Sequence, residues 1–104
     1  MAIHTHEQGA PLETCLVHVQ GRVQGVGFRE ACVHEAHVVG VTGWVRNRAD
    51  GSVETLLQGT PERVARMRLW LRHGPPMALV KEYNVSEVPP PFQRYDRFER
   101  RYTE

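Results

Sequence analysis

The spacing of apolar residues changes several times along the chain, and each change marks a predicted element. A run of apolar and β-branched residues predicts a largely buried strand over residues 15–20, so the fold is expected to begin near Thr14. Helical spacing follows, and it predicts a helix over residues 28–39 with four apolar residues on one face: Phe28, Cys32, Ala36 and Val39. Gly40 then supplies the left-handed residue that commonly ends a helix.

The middle of the chain contains two more strand-like runs and a second helical pattern. Residues 41–47 and 52–58 are joined by a segment ending in Asp50-Gly51, a strong hairpin signal, so we expect these strands to pair antiparallel. Thr60-Pro61 offers an N-cap and a first-turn proline. The helix that follows is predicted to run to about Arg72, with three apolar residues on its buried face: Val64, Met67 and Leu71.

The last third of the chain completes the predicted fold. A fourth strand is expected over residues 79–85, and alternating aromatic and charged residues predict a half-exposed edge strand over residues 95–102. The order is β-α-β-β-α-β plus a terminal strand. It predicts an α+β fold of the ferredoxin-like, split βαβ type, with two helices on one face of an antiparallel or mixed sheet.

Length and the opening residues limit the organisation of the protein. Residues 1–13 are predicted to form a flexible polar extension and residues 14–104 a single domain, with room for one core. No apolar run reaches the length of a membrane span, and the opening residues lack the basic start and hydrophobic segment of a secretory leader. The lack of both signals predicts a cytoplasmic protein. A monomer is also expected.

Composition changes this picture in two respects. The formal net charge of +1 argues against general binding to nucleic acids, which usually requires a strongly basic domain. The basic residues are twelve Arg and a single Lys, Lys81. Arg suits bidentate contacts to phosphate or carboxylate, although a genome's base composition explains the bias equally well. Cys15 and Cys32 have no disulfide or metal spacing, so both are expected to be buried thiols.

The segment between the first strand and the first helix has the properties of an anion site. It reads GRVQGVGFR, and its glycines permit unusual backbone angles where the N–H groups at a helix start are unpaired. Arg29, in the first helical turn, could add charge-assisted hydrogen bonds to an anion. Walker and dinucleotide motifs do not fit, because GK[ST] is absent and Glu30 replaces a required glycine. A simple tight turn with a solvated Arg29 is an equally good interpretation at this point.

Asn47 ends the second predicted strand, just before the Asp50-Gly51 turn. Its carboxamide could fix a water molecule, because it donates to one partner and accepts from another. Asn is also common at turns and strand ends, and the residue alone favours that interpretation. Trp44 on the same strand suits the core as well as a site wall.

Histidines offer little support for a metal site. His34 and His37 lie three residues apart on the first helix, but no Cys or carboxylate pattern completes a recognisable set of ligands. His4 and His6 belong to the extension, and His18 is expected to point away from Val17 and Val19 on the first strand. We expect neither a metal nor another cofactor.

Two longer strings resemble the signatures of a known family. VHVQGRVQGVGFR, residues 17–29, closely resembles the phosphate loop of acylphosphatases, and GVTGWVRNRADGSVETLLQG, residues 40–59, resembles their second signature. The second helix and its exit at Gly74-Pro75-Pro76 also agree. The resemblance covers residues 14–102, and on it the chain is identified as a member of that family.

The resemblance implies an activity and a set of site residues. A metal-independent hydrolase of carboxyl and carbamoyl phosphates is expected, with Arg29 binding phosphate and Asn47 positioning the attacking water. The backbone cradle for the phosphate is expected from the residues of the loop: Gln24, Gly25, Val26, Gly27 and Phe28. The implied partner is a small acyl phosphate, with no nucleic acid and no membrane.

Two other functions share parts of this pattern. RNA-recognition modules have the same βαββαβ order, but they stack bases on aromatic residues of the third strand. The third strand here reads SVETLLQ and contains no aromatic residue, so this alternative is weak. A noncatalytic sensor, like the acylphosphatase-like domains of larger carbamoyl-phosphate-using proteins, would keep the loop without turnover.

Overall fold

Helices and strands follow one another in the order that the sequence predicts. The structure, a computed structural model, describes residues 11–104. Its elements in chain order are β1 (Glu13–Arg22), α1 (Phe28–Val39), β2 (Thr42–Asn47), β3 (Val53–Gly59), α2 (Pro61–Leu71), β4 (Leu79–Glu87) and β5 (Phe98–Arg101).

The strands form one mixed sheet in the order β4-β1-β3-β2-β5. β1 pairs antiparallel with β3 and β4, β2 pairs antiparallel with β3, and β5 pairs parallel with β2. α1 packs against β2 and β5, α2 packs against β1 and β3, and the two helices contact each other. The ferredoxin-like α+β prediction is confirmed, and its open choice between an antiparallel and a mixed sheet is resolved by the parallel β5.

Predicted and observed boundaries differ most where pairing is not local. β1 begins at Glu13 and continues to Arg22, beyond the predicted residues 15–20, because β3 and β4 pair with it on both sides. β5 covers only Phe98–Arg101 of the predicted residues 95–102, since the Tyr95 N–H donates instead to the Gln58 side chain. Most of the predicted extension, including His4 and His6, lies outside the described residues.

The core lies between the sheet and the two helices. It contains the predicted apolar face of each helix and the inward-facing residues of the strands, among them Val17, Val45 and Leu57. Thr60 caps α2 by accepting a hydrogen bond from the Arg63 N–H at 3.3 Å, as its place before Pro61 predicts. No helix within residues 11–104 is long and apolar enough to cross a membrane.

Two leucines of α2 allow a matched test of this packing. Leu71 is fully buried, whereas Leu69 is 62% exposed. We expect Leu71→Ala to lower the free energy of unfolding by about 2–5 kcal/mol, because it leaves a cavity under the helix. Leu69→Ala should change it by less than about 0.5 kcal/mol. Urea titration followed by circular dichroism measures both, and equal losses would contradict the packing described here.

Candidate active site

Residues 23–27 connect β1 to α1 in a loop whose two glycines, Gly25 and Gly27, are exposed. Gly25 and Gly27 have φ angles of 74° and 77°, in the left-handed region that favours glycine. A Cβ atom at either position would meet nothing within 4 Å, so backbone conformation rather than space requires glycine. The N–H groups of Gly25, Val26 and Gly27 donate to no acceptor within residues 11–104. The loop therefore presents unpaired donors at the start of α1, where an anion is favoured.

Gln24 fastens this loop to the β2–β3 turn. Its Nε2 donates to the carbonyl oxygens of Arg48 and Ser52, both at 2.8 Å. The sequence predicts only that the Gln24 backbone contributes to the anion cradle. Its side-chain hydrogen bonds reach residues 24 and 28 positions away, and no local sequence pattern reveals contacts over such a separation. Through these two bonds the loop and the turn that follows Asn47 form one unit.

A small hydrogen-bond network stabilises the turn itself. Asp50 Oδ1 accepts from the backbone N–H of Ser52 at 2.9 Å and from its hydroxyl at 2.5 Å. These bonds, the hydroxyl first, hold the pKa of the Asp50 carboxyl below its ordinary value. His18 Nε2 lies 2.8 Å from the same hydroxyl oxygen. The group resembles a Ser-His-Asp triad only in composition, because Ser52 is buried and its proton is directed at the carboxylate.

Asn47 is placed by the register of the sheet. It pairs with Val53, which pairs in turn with Val19 near the end of β1. Side chains alternate along a strand, so Asn47 shares the helix-covered face with Val45. The Asn47 carbonyl accepts from the Glu104 N–H at 3.1 Å, and the Glu104 carbonyl accepts from the Ala49 N–H at 3.2 Å. The end of β2 is thus held by backbone hydrogen bonds to Glu104.

Arg29 is the second residue of α1 and is half-buried. Its Nη1 donates to the Arg101 carbonyl oxygen at 3.2 Å, which connects the helix start to β5. A guanidinium group has five N–H donors in a fixed plane, so this bond orients the side chain and leaves other donors for a ligand.

A cavity of about 130 Å³ brings these features together. Its lining contains the predicted site residues Gln24, Gly25, Gly27, Phe28, Arg29 and Asn47, and also Val23, Glu30 and Arg100. Val26 does not line it, and its side chain packs against the core. The sequence did not indicate Arg100 or Glu30 as site residues. Arg100 reaches the cavity because β5 pairs parallel with β2, a pairing that no local signal predicts.

Known proteins of similar sequence identify the family of the chain. A sequence model of the acylphosphatase family matches residues 15–100, most of the chain. The chain is 58% identical over 95 residues to acylphosphatase 1 of Ralstonia nicotianae, covering 91% of this chain and 93% of that protein. The chain belongs to the acylphosphatase family. Identity at this level over nearly the whole length makes it an acylphosphatase enzyme, and the resemblance in the two signatures is confirmed.

Solved structures extend the comparison. An acylphosphatase from Coxiella burnetii, 36% identical, superposes with a TM-score of 0.81 and covers 86% of this chain and 93% of its own. Full-length HypF in its phosphate- and nucleotide-bound form gives a TM-score of 0.83 at 20% identity. That likeness covers 94% of this chain but only 13% of HypF, and it concerns the fold alone.

Several residues left open by the sequence lie away from the cavity of this acylphosphatase. Trp44 is buried on the sheet face opposite the helices, between the guanidinium groups of Arg46 and Arg101 at 4.8 and 4.9 Å from its ring centre. It is therefore not a site wall. His34 and His37 belong to no group of three metal-ligating side chains within the described part of the chain.

The two thiols are buried and suited to packing rather than to nucleophilic attack. Burial raises the pKa of Cys15 to about 11 and that of Cys32 to about 12. Both are free cysteines. A thiol attacks as its thiolate, so groups with such raised pKa values remain protonated and unreactive near neutral pH.

This chemistry predicts a simple reactivity pattern. At about pH 8, below both pKa values, the native protein should react with Ellman's reagent far more slowly than a free thiol does. Denaturation in urea should expose both residues and release two equivalents of chromophore. Rapid reaction of one native thiol would contradict its burial, and Cys15→Ser and Cys32→Ser variants would identify which residue reacted.

Proposed function

We propose that this enzyme hydrolyses carboxyl and carbamoyl phosphates to a carboxylate or carbamate and inorganic phosphate, with Arg29 binding the phosphoryl group and Asn47 positioning the attacking water. The observation that carries the proposal is the single cavity shared by the glycine loop, Arg29 and Asn47. The loop supplies hydrogen-bond donors for an anion, Arg29 supplies a fixed positive charge, and Asn47 supplies a neutral amide.

Phosphate binding follows from the first two parts. The unpaired N–H groups of the loop lie at the positive end of the α1 dipole, where phosphoryl oxygens are stabilised. Arg29 adds charge-assisted hydrogen bonds that the dipole alone does not provide. Together these groups would neutralise the charge that develops on the equatorial oxygens in the transition state.

Asn47 supplies the third part, a place for water. Its amide both donates and accepts, so it could orient a water oxygen toward phosphorus without taking up a proton. The water oxygen forms the new P–O bond while the bond to the acyl oxygen breaks, and the departing carboxylate keeps the electron pair. The proton of the water passes to an oxygen of the phosphoryl group.

A general base is not needed in this scheme. The carboxylate leaving group is already good, so positioning and charge stabilisation supply most of the acceleration. Glu30 lines the cavity, but its carboxylate is largely exposed and forms an ion pair with Arg100 at 2.8 Å. The proposal therefore assigns no proton transfer to it and requires no metal.

Variants of the two side chains test the proposal. With a chelator present, hydrolysis of acetyl phosphate or benzoyl phosphate should fall about 10³-fold or more in Arg29→Ala, which removes the phosphate-binding charge. Asn47→Ala should lower kcat about 10²-fold, because water is no longer oriented. Steady-state kinetics measure both.

Matched controls separate these roles from general damage. Arg22→Ala and Asn84→Ala change the same residue types at exposed positions outside the cavity and should keep full activity. In ¹⁸O-labelled water the label should enter inorganic phosphate and not the carboxylate, as attack at phosphorus requires. A folded but inactive wild type would favour a noncatalytic anion sensor, and loss of activity with chelator would contradict metal independence.

We also propose that the enzyme acts as a monomer in the cytoplasm. Every residue that lines the cavity comes from one chain, and two unpaired thiols are usual in a reducing compartment. Sedimentation velocity tests the first part, with one species near 11.9 kDa as the expected result.

A further inference from the structure

A second cavity of about 400 Å³ adjoins the first one. It is lined by Arg29, Arg100, Arg101, Tyr102 and Thr103. Arg29 and Arg100 line both cavities, so the two spaces meet at these two side chains. Asn47 lines only the first cavity. The proposed water beside Asn47 therefore belongs to the first cavity and not to the second.

The geometry of an in-line displacement suggests what the second cavity would hold, namely the acyl group. The attacking and leaving oxygens lie on opposite sides of phosphorus, so the acyl group departs away from the proposed water. The second cavity begins at Arg29, away from Asn47, and its volume of about 400 Å³ has room for several carbon atoms beyond a phosphoryl group held by Arg29.

The charges around this second cavity are predominantly positive. Three of its five lining residues are arginines, and none is acidic. The Arg101 guanidinium lies over the Trp44 ring on the opposite face of the sheet, and the Arg101 carbonyl oxygen accepts a hydrogen bond from Arg29. Arg100 is different, because it pairs in register with Val45 and so extends on the helix side toward Glu30.

Arg100 is available to a ligand at low cost. Its side chain is 50% exposed, and its ion pair is with Glu30, which is 76% exposed. Ion pairs between exposed side chains contribute little to stability, so a substrate carboxylate could replace Glu30 as the partner of Arg100.

We propose that the second cavity receives the acyl group of the substrate and that Arg100 recognises a carboxylate carried on it. The preferred substrates are then monoacyl phosphates of dicarboxylic acids, rather than those of neutral acids. This inference rests on the proposed function and adds a substrate class to it.

The test compares kcat/KM for succinyl phosphate with kcat/KM for acetyl phosphate in wild type and Arg100→Gln. Loss of one half-exposed charge pair should lower the succinyl-to-acetyl ratio about two- to fivefold. Arg66→Gln removes the same charge from an exposed position on α2, outside both cavities, and should leave the ratio unchanged. Circular dichroism verifies that each variant is folded.

Salt provides a second readout. Raising the ionic strength screens charges that are open to solvent, so the wild-type ratio should fall with added salt and the Arg100→Gln ratio should change less.

The outcomes distinguish the two proposals. If Arg100→Gln lowers kcat/KM for both substrates equally, Arg100 acts on the phosphoryl group and the proposed subsite is wrong, while the hydrolase assignment stands. If Arg66→Gln lowers the ratio as much, general charge rather than this cavity sets the preference. A folded wild type that hydrolyses neither substrate overturns the proposed function itself.

Discussion

The register of β3 against its two neighbours is the constraint on which the site depends. Val53 pairs with Val19 on one side and with Asn47 on the other, so one row of residues crosses the three central strands. Because side chains alternate, a slip of one residue between β2 and β3 would turn Asn47 to the opposite face of the sheet. The hydrophobic residues of these strands oppose such a slip, since it would expose Val45 and bury Arg46. Core packing and site geometry are therefore fixed by the same pairing.

Hydrogen bonds between distant residues position the site residues more closely than strand pairing alone does. The Gln24 amide joins the β1–α1 loop to the β2–β3 turn, and the Asp50–Ser52 bonds stabilise the turn. On the other side, the Arg101 carbonyl orients Arg29. None of these groups reacts in the proposed mechanism. They position the side chains whose geometry determines whether an anion and a water molecule can meet in line.

Local patterns were sufficient to predict most of the fold and only part of the site. The bounds of α1, the hairpin and the capped start of α2 follow from signals within a few residues, so they could be predicted from the sequence. Signals of the same kind left two interpretations of the loop and Arg29 equally good, an anion site and a tight turn with a solvated arginine, and the anion site stays a prediction. The role of Asn47 depended on the family resemblance, because an isolated asparagine at a strand end is ordinary. The contribution of Arg100 and the bonds of Gln24 could not be predicted, since they depend on pairings and contacts between distant parts of the chain.

The contacts of residues 98–104 have a consequence for how the enzyme is made. Arg29 is oriented by a carbonyl 72 positions later, and the backbone at Asn47 is held by Glu104. A ribosome adds residues at about 5–20 per second and releases them from the amino terminus onward. The loop, both helices and four strands can therefore emerge before residues 98–104 do. Assembly of the site must wait until residues 98–104 have emerged as well, so a nascent chain that has released only the loop, both helices and four strands lacks the finished geometry.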